Sequence, residues 1–256
     1  MSALAAAGSS PTPTPTPTPA SGGGPAIPDF GAGACSSHAT FCWNWVTQNW
    51  SPELAPRLVE HIYITLIAVG IGLVISLAAA MFAYQRGWFE RGFIAVSTLL
   101  YTIPALAFFL FFVPVTGLSL TTIEIGLVGY TFLLLFRNTL TGLRSAPPEV
   151  TAAAAGMGMT PRQVFYRINV PLAVPSIMAG LRIATVTTIS LATIAAYITP
   201  LGLGEPIFTA LHTVFTTELI AAGVLAILLA LVADGLLVLA QRAVTPWARV
   251  RLRGAL

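Results

Sequence analysis

From Ile62 to Gln85 the chain carries no charged residue, and the run is long enough to cross a hydrocarbon layer that needs ~20 helical residues. Four more runs follow: Phe93–Val113, Ile123–Leu143 interrupted by Arg137, Ser176–Ile198 with Arg182 near its start, and Leu219–Gln241 with Asp234 inside. Charged residues make up 8% of the chain, against roughly 25% in soluble domains. So few charges cannot solvate a globular surface, and the bilayer must be the main solvent. The fold class expected is an all-α polytopic membrane protein with about five transmembrane helices. Pro104 lies inside the second run and predicts a kink there, with Pro114–Thr122 as a short turn.

The charges also predict an orientation. No Arg or Lys precedes Arg57, so the N-terminus translocates easily and is placed outside. Five spans then put the C-terminus inside, and eleven of the twelve Arg residues fall on the inner side. Asp29, Glu53, Glu60, Glu205 and Glu218 fall outside, Glu124 at the outer interface is most simply solvated, and residues 242–256 form a basic cytoplasmic tail. The Gly- and Pro-rich loop 199–218 is extracytoplasmic and holds a short re-entrant or surface helix. The net charge of +3 does not point to nucleic acid, because the Arg residues are scattered and form no patch.

Residues 1–40 are a Pro/Thr/Gly-rich extracytoplasmic tail, extended and flexible, without the charged start of a secretory signal. Residues 41–58 are an interfacial amphipathic segment: Trp43, Val46, Thr47 and Trp50 share one helical face, suited to the outer headgroup layer or to packing on the spans. Cys35 and Cys42, the only cysteines, either close a small disulfide loop outside the cell or stay as thiols. A metal site is not expected, since zinc needs about four ligands and only His38 lies nearby.

One stretch breaks the apolar pattern, TAAAAGMGMTPRQVFYRINVP from Thr151 to Pro171. Pro147 and Pro148 stop the preceding helix. Glu149–Ala155 reads as a short helix with an acidic first turn, ended by Gly156 and Gly158. Thr160 and Pro161 restart a second helix over 161–168, with Thr as N-cap and Pro at the first position. Pro171 and Pro175 then turn the chain back into the membrane. Residues 147–171 are thus expected to form a rigid cytoplasmic elbow, too short to be stable undocked.

This elbow resembles the EAA motif of ABC-importer permeases: Ala153, Ala154, Gly158, Ile168 and Pro171 match at the required spacings. Ala152 stands where the family has Glu, and Val170 where it has Leu. Glu149, one turn earlier, either takes over the acidic role or merely suits the helix start. Further matches resemble the permease subunits of osmoprotectant importers of the glycine betaine, choline and carnitine type: Thr102-Ile-Pro-Ala-Leu-Ala107, Arg137-Asn-Thr139, Gly156-Met-Gly-Met-Thr160, Pro171-Leu-Ala-Val-Pro175 and Gly202-Leu-Gly204. The resemblance implies a type I importer core spanning 59–241 in a bacterial cytoplasmic membrane. Its elbow (Glu149, Ala152, Ala153, Ala154, Gly158, Met159, Thr160, Pro161, Ile168, Pro171) would couple to ABC ATPase subunits. It also implies a second permease chain, identical or homologous, and an extracytoplasmic substrate-binding protein.

The chain has no Lys, so no Walker A loop is possible; ATP and Mg are expected on the partner ATPase, with no cofactor and no enzymatic activity here. Intramembrane charges carry a functional prior. Arg137 and Arg182 are expected to snorkel or to pair, with Asp234 the natural partner of one of them; a cation-binding Asp234 is the sharper alternative. Tyr101, Tyr130 and Tyr197 could line a path for quaternary ammonium solutes, whose cations bind aromatic faces, or could simply pack. Alternatives are an ABC permease for another small solute such as an amino acid, and a stand-alone secondary transporter, which would call for an internal repeat.

Overall fold

A computed structural model describes residues 41–246. Residues 1–40, with Cys35 and the Pro/Thr tail, and residues 247–256, with Arg249, Arg251 and Arg253, lie outside the described residues.

The described residues form ten α-helices: α1 (Trp43–Asn49), α2 (Ala55–Gln85), α3 (Gly87–Thr102), α4 (Ala105–Thr116), α5 (Leu120–Leu143), α6 (Pro148–Gly156), α7 (Pro161–Val164), α8 (Val170–Ala195), α9 (Gly204–Thr213) and α10 (Thr216–Val244). Four helical stretches among them are long and apolar enough to cross a membrane, or five if the bent pair α3–α4 counts as one. The five apolar runs therefore all reappear as helices.

Helix α5 is central and packs on α8, α2, α3 and α4. Helices in lipid gain little from burying apolar surface against each other, so close approach through small residues holds them together. Gly142 on α5 shows how close: a Cβ there would sit 2.9 Å from Ser176 Cβ and 3.0 Å from the Ala173 carbonyl of α8. Near the elbow, Ala79, Ala80 and Ala83 of α2 enclose Phe136 and Leu140 of α5, with Phe165 beneath them. At the far end Ile64 and Ala68 of α2 meet Phe109 of α4, Leu127 of α5 and Ala195 of α8.

The kink expected at Pro104 is present and sharp, α3 and α4 meeting at a break with axes 100° apart. Ile103 (ψ 132°) and Pro104 (ψ 133°) are both extended, as the restriction on a residue before proline favours. Three expectations are corrected. First, the presumed turn at Pro114 is instead the last helical turn of α4, which ends at Gly117 with φ +71°.

Second, the segment around Trp43–Trp50 is not a separate short helix. It runs through a π-helical turn, Trp50–Leu54, straight into α2, giving 43 continuous residues. Third, Pro171 and Pro175 do not turn the chain. Helix α7 passes through another π-helical turn, Phe165–Asn169, into α8, giving 35 continuous residues. The same device works in both places. The Ala55 N–H reaches back to Trp50 O, and the Val170 N–H to Phe165 O, one residue further than in an α-helix. This resets the ladder, so that Pro56 and Pro171 stand in a first turn, where a missing N–H costs little.

Candidate functional site: the elbow and the polar groups of the spans

The elbow is built as two capped helices back to back. The Gly158 N–H bonds Ala155 O (3.0 Å) and the Met159 N–H bonds Ala154 O (3.1 Å), a Schellman motif with Gly158 in the left-handed conformation, φ +82°. Thr160 then opens α7 with a capping box: the Gln163 N–H reaches Thr160 Oγ1 (3.3 Å) and the Thr160 N–H reaches Gln163 Oε1 (2.8 Å). Gln163 escaped the sequence reading, although Thr-x-x-Gln is the capping-box signature. Only one residue, Met159, separates the C-terminal cap Gly158 from the N-terminal cap Thr160, so the corner has little freedom.

Ala154 is 1% exposed and anchors α6, whereas Glu149, Ala152, Ala153 and Gly156 are all exposed. Their spacing of i, i+3, i+4 and i+7 makes them one stripe, and Met157, 77% exposed, extends it. Glu149 and Ala152 therefore share an outward face. Met159 and Pro161 line a cleft of ≈ 810 Å³ between the elbow and the end of α2. Across it Asn169 Nδ2 donates to the Tyr84 hydroxyl at 2.6 Å. Ile168 and Pro171 are half-buried in the helical stretch that enters the membrane region.

Arg182 and Asp234 pair across α8 and α10: Nε to Oδ1 is 2.7 Å and Nη2 to Oδ2 is 2.9 Å. Arg137 is exposed and meets no partner among the described residues. It lines a cleft of ≈ 590 Å³ with Glu90, Thr141 and Arg144. There Arg144 binds Glu90 through both of its terminal nitrogens, at 2.9 and 2.7 Å. Those hydrogen bonds hold the Arg144 pKa above its ordinary value.

Tyr101 and Tyr130 come together edge to face, with ring centroids 5.8 Å apart. Tyr197 does not join them; it packs on Phe208 of α9 at 5.5 Å. Glu124 is not solvated: both carboxylate oxygens are enclosed without a hydrogen-bond partner. Cys42 is buried, and its N–H donates to Thr217 Oγ1 at 3.1 Å.

The end of the bundle opposite the elbow holds a second polar network. Arg57 meets Glu60 (3.1 Å), Glu205 (3.3 Å) and the Pro200 carbonyl (3.3 Å). Glu60 accepts the Gly202 N–H at 2.8 Å. His61, fully buried, faces Ile189 O through Nε2 (3.1 Å) and accepts the Leu203 N–H at Nδ1 (3.2 Å). Accepting at Nδ1 requires the neutral Nε2–H tautomer, so the ring fastens α2 to α8 and to the loop before α9.

Spans packed on a central helix, with a twice-capped elbow projecting from one end, define a multi-pass transport permease. Comparison with known proteins agrees. Residues 72–250 match the family described as binding-protein-dependent transport system inner membrane component, and the chain belongs to that family. It is 34% identical over 201 residues to the choline transport system permease protein OpuBB of Bacillus subtilis (strain 168), covering 78% of this chain and 93% of that protein. Over 196 residues it is 34% identical to the glycine betaine/carnitine/choline transport system permease protein OpuCB of the same organism, covering 76% and 89%. Among solved structures, an inward-facing form of the MetNI methionine ABC transporter matches with a TM-score of 0.66 at 20% identity, over 73% of this chain and 93% of that one. This last likeness concerns the fold alone. The chain is accordingly an inner-membrane permease of the ABC-importer type.

Proposed function

We propose that this chain forms the membrane path of an ATP-driven importer of quaternary ammonium osmoprotectants, the glycine betaine, choline and carnitine class. The observation that carries the reading is the 34% identity, over nearly the full length of both relatives, to permeases named for those solutes. The Tyr101–Tyr130 pair supports it, because aromatic faces attract quaternary ammonium cations. Two permease chains would enclose the path, ATPases on separate chains would bind the elbows, and a binding protein would deliver solute at the opposite end. The distribution of Arg favours the elbow end inside the cell.

In this mechanism the exposed stripe Glu149–Ala152–Ala153–Gly156 seats in the ATPase, and closure of the ATPases moves the elbows. Because α7 continues into α8 without a break, a displacement of the elbow passes to the span as a rigid lever. The test is uptake by proteoliposomes holding the permease, its ATPase and its binding protein, offered glycine betaine, choline, carnitine and amino acids in turn. ATP-dependent uptake of the first three is expected. Uptake of an amino acid alone would overturn the substrate class, and uptake without ATP would overturn the mechanism.

A further inference from the structure

The turn between the elbow and α8 buries a polar residue that packing alone does not call for. Asn169 closes the π-helical turn Phe165–Asn169 and is 4% exposed. Its Nδ2 donates to the Tyr84 hydroxyl at 2.6 Å, while its Oδ1 is enclosed without a partner. An enclosed amide oxygen left unpaired is costly, and an apolar side chain at 169 would avoid that cost. Apolar contact is already supplied one turn earlier. Phe165 lies against the Tyr84 ring, with centroids 5.0 Å apart, and joins Ala80, Ala83 and Phe136 in the core. Asn169 therefore adds direction rather than burial. Its bond to Tyr84 is the only hydrogen bond between residues 147–171 and α2 among the described residues.

The places of the two residues in the chain make this bond a mechanical link. Asn169 is the last residue before α8 and belongs to the unbroken helical stretch Pro161–Ala195 that carries the elbow into the span. Tyr84 is the penultimate residue of α2, two before Arg86, where the chain passes from α2 to α3. The bond thus joins the base of the elbow to the end of the first span. π turns often mark functional places in helices, and here the turn sets both Phe165 and Asn169 toward Tyr84 before the regular ladder resumes. The cover over Asn169 comes from this chain alone, so a second permease chain or an ATPase can only deepen it. Asn169 stands between the motif positions Ile168 and Val170 and is not one of them.

We propose that Asn169 and Tyr84 pass displacement of the elbow to α2, so that one elbow drives two spans: α8 through the continuous helix and α2 through this hydrogen bond. Asn169 is a positioning residue in this scheme and touches neither solute nor ATP. The inference rests on the reading that ATPases act on the elbow, but not on which solute is carried. Apolar contact is non-directional and lets two surfaces slide, whereas a hydrogen bond with a defined geometry fixes the register of the two helix ends.

Tyr84→Phe, which keeps the ring against Phe165, Asn169→Leu and the double variant test it in the assembled transporter in proteoliposomes. The readout is solute taken up per ATP hydrolysed, with whichever of glycine betaine, choline, carnitine and amino acids the wild type accumulates fastest. Each single variant should still bind the ATPase and hydrolyse ATP, while uptake per ATP falls about fivefold, the worth of one hydrogen bond. The double variant should fall no further, because the two residues act as one link. An unchanged ratio in Tyr84→Phe would overturn the proposal, whatever happens to yield or melting temperature, since a merely structural bond would lower those and leave the ratio alone. So would a double variant that loses the product of the two single losses. If Asn169→Leu fails to assemble, Tyr84→Phe carries the test. A wild type that accumulates solute without ATP would overturn the reading on which the link rests, and the link with it; a coupled wild type with unchanged variants overturns the link alone.

Discussion

Arg182 of α8 holds Asp234 of α10 through two parallel hydrogen bonds, 2.7 and 2.9 Å long, in the middle of two membrane-spanning helices. Each charge alone would be expensive in hydrocarbon, and together they present a neutral pair. Removing one partner strands the other. Asp234→Asn and Arg182→Gln should each lower the amount of folded permease recovered from membranes. The double replacement by Leu should recover most of the loss. Fluorescence-detected size exclusion would measure this; a double variant as poor as the worse single one would mean that the pair has a role beyond neutralisation.

His61 joins three segments without carrying charge. Truncation to Ala leaves the Leu203 N–H buried and unpaired, and it removes one of the donors to Ile189 O. An unsatisfied buried group of this kind costs about 1–3 kcal/mol. His61→Ala should therefore lower the melting temperature in detergent, and His61→Gln, which keeps a donor and an acceptor, should lower it less. Equal melting temperatures for the wild type and the Ala variant would show that the network contributes nothing to stability.

Gly158 tests the elbow. Its φ of +82° is strained for any residue with a Cβ, by roughly 1–2 kcal/mol. Gly158→Ala should reduce transport-coupled ATP hydrolysis while leaving the spans folded. Gly158→Asn should retain more activity, because Asn tolerates the left-handed conformation better. Thr160→Ala removes the N-cap and should add about 1 kcal/mol of local destabilisation. Normal uptake in all three would show that the corner need not be rigid.

The parts of the fold legible in the sequence are those decided by one residue at a time. Long apolar runs located the spans, Gly158 and Thr160-Pro161 located the two caps of the elbow, and Asp234 was identified as the partner of an Arg. The errors share a different cause. Pro171 reads as a stop only if the helix ladder is assumed to be regular. A π turn at Phe165–Asn169 shifts the ladder by one residue and makes the proline a first-turn residue of α8. Side-chain composition does not announce that shift. Pro104 read as a kink, and the chain bends there by 100°; what the sequence does not show is that the Tyr130 hydroxyl, 27 residues away, meets the Ile103 carbonyl at the break. Glu124 read as solvated from its position near a span end, yet both of its oxygens are enclosed by the folded chain.

Glu149 carries the last prediction. The family motif places an acid at position 152, which is Ala here, and Glu149 is exposed one turn away on the same stripe. If its carboxylate makes the contact with the ATPase that the motif acid would otherwise make, Glu149→Gln should weaken ATPase docking about tenfold, the size of one charge-assisted hydrogen bond. Moving the acid should restore it: Glu149→Ala combined with Ala152→Glu returns a carboxylate to the same face, one turn on. Co-purification of the ATPase with the permease, together with coupled ATP hydrolysis, reads both. Rescue by the double variant separates a surface contact from a contribution to helix stability. An acid in the first turn of α6 suits the helix dipole, and the more distant position 152 would not replace that effect. Loss without rescue would confine Glu149 to stabilising α6 and leave the docking contact to the small, flat face of Ala152, Ala153 and Gly156.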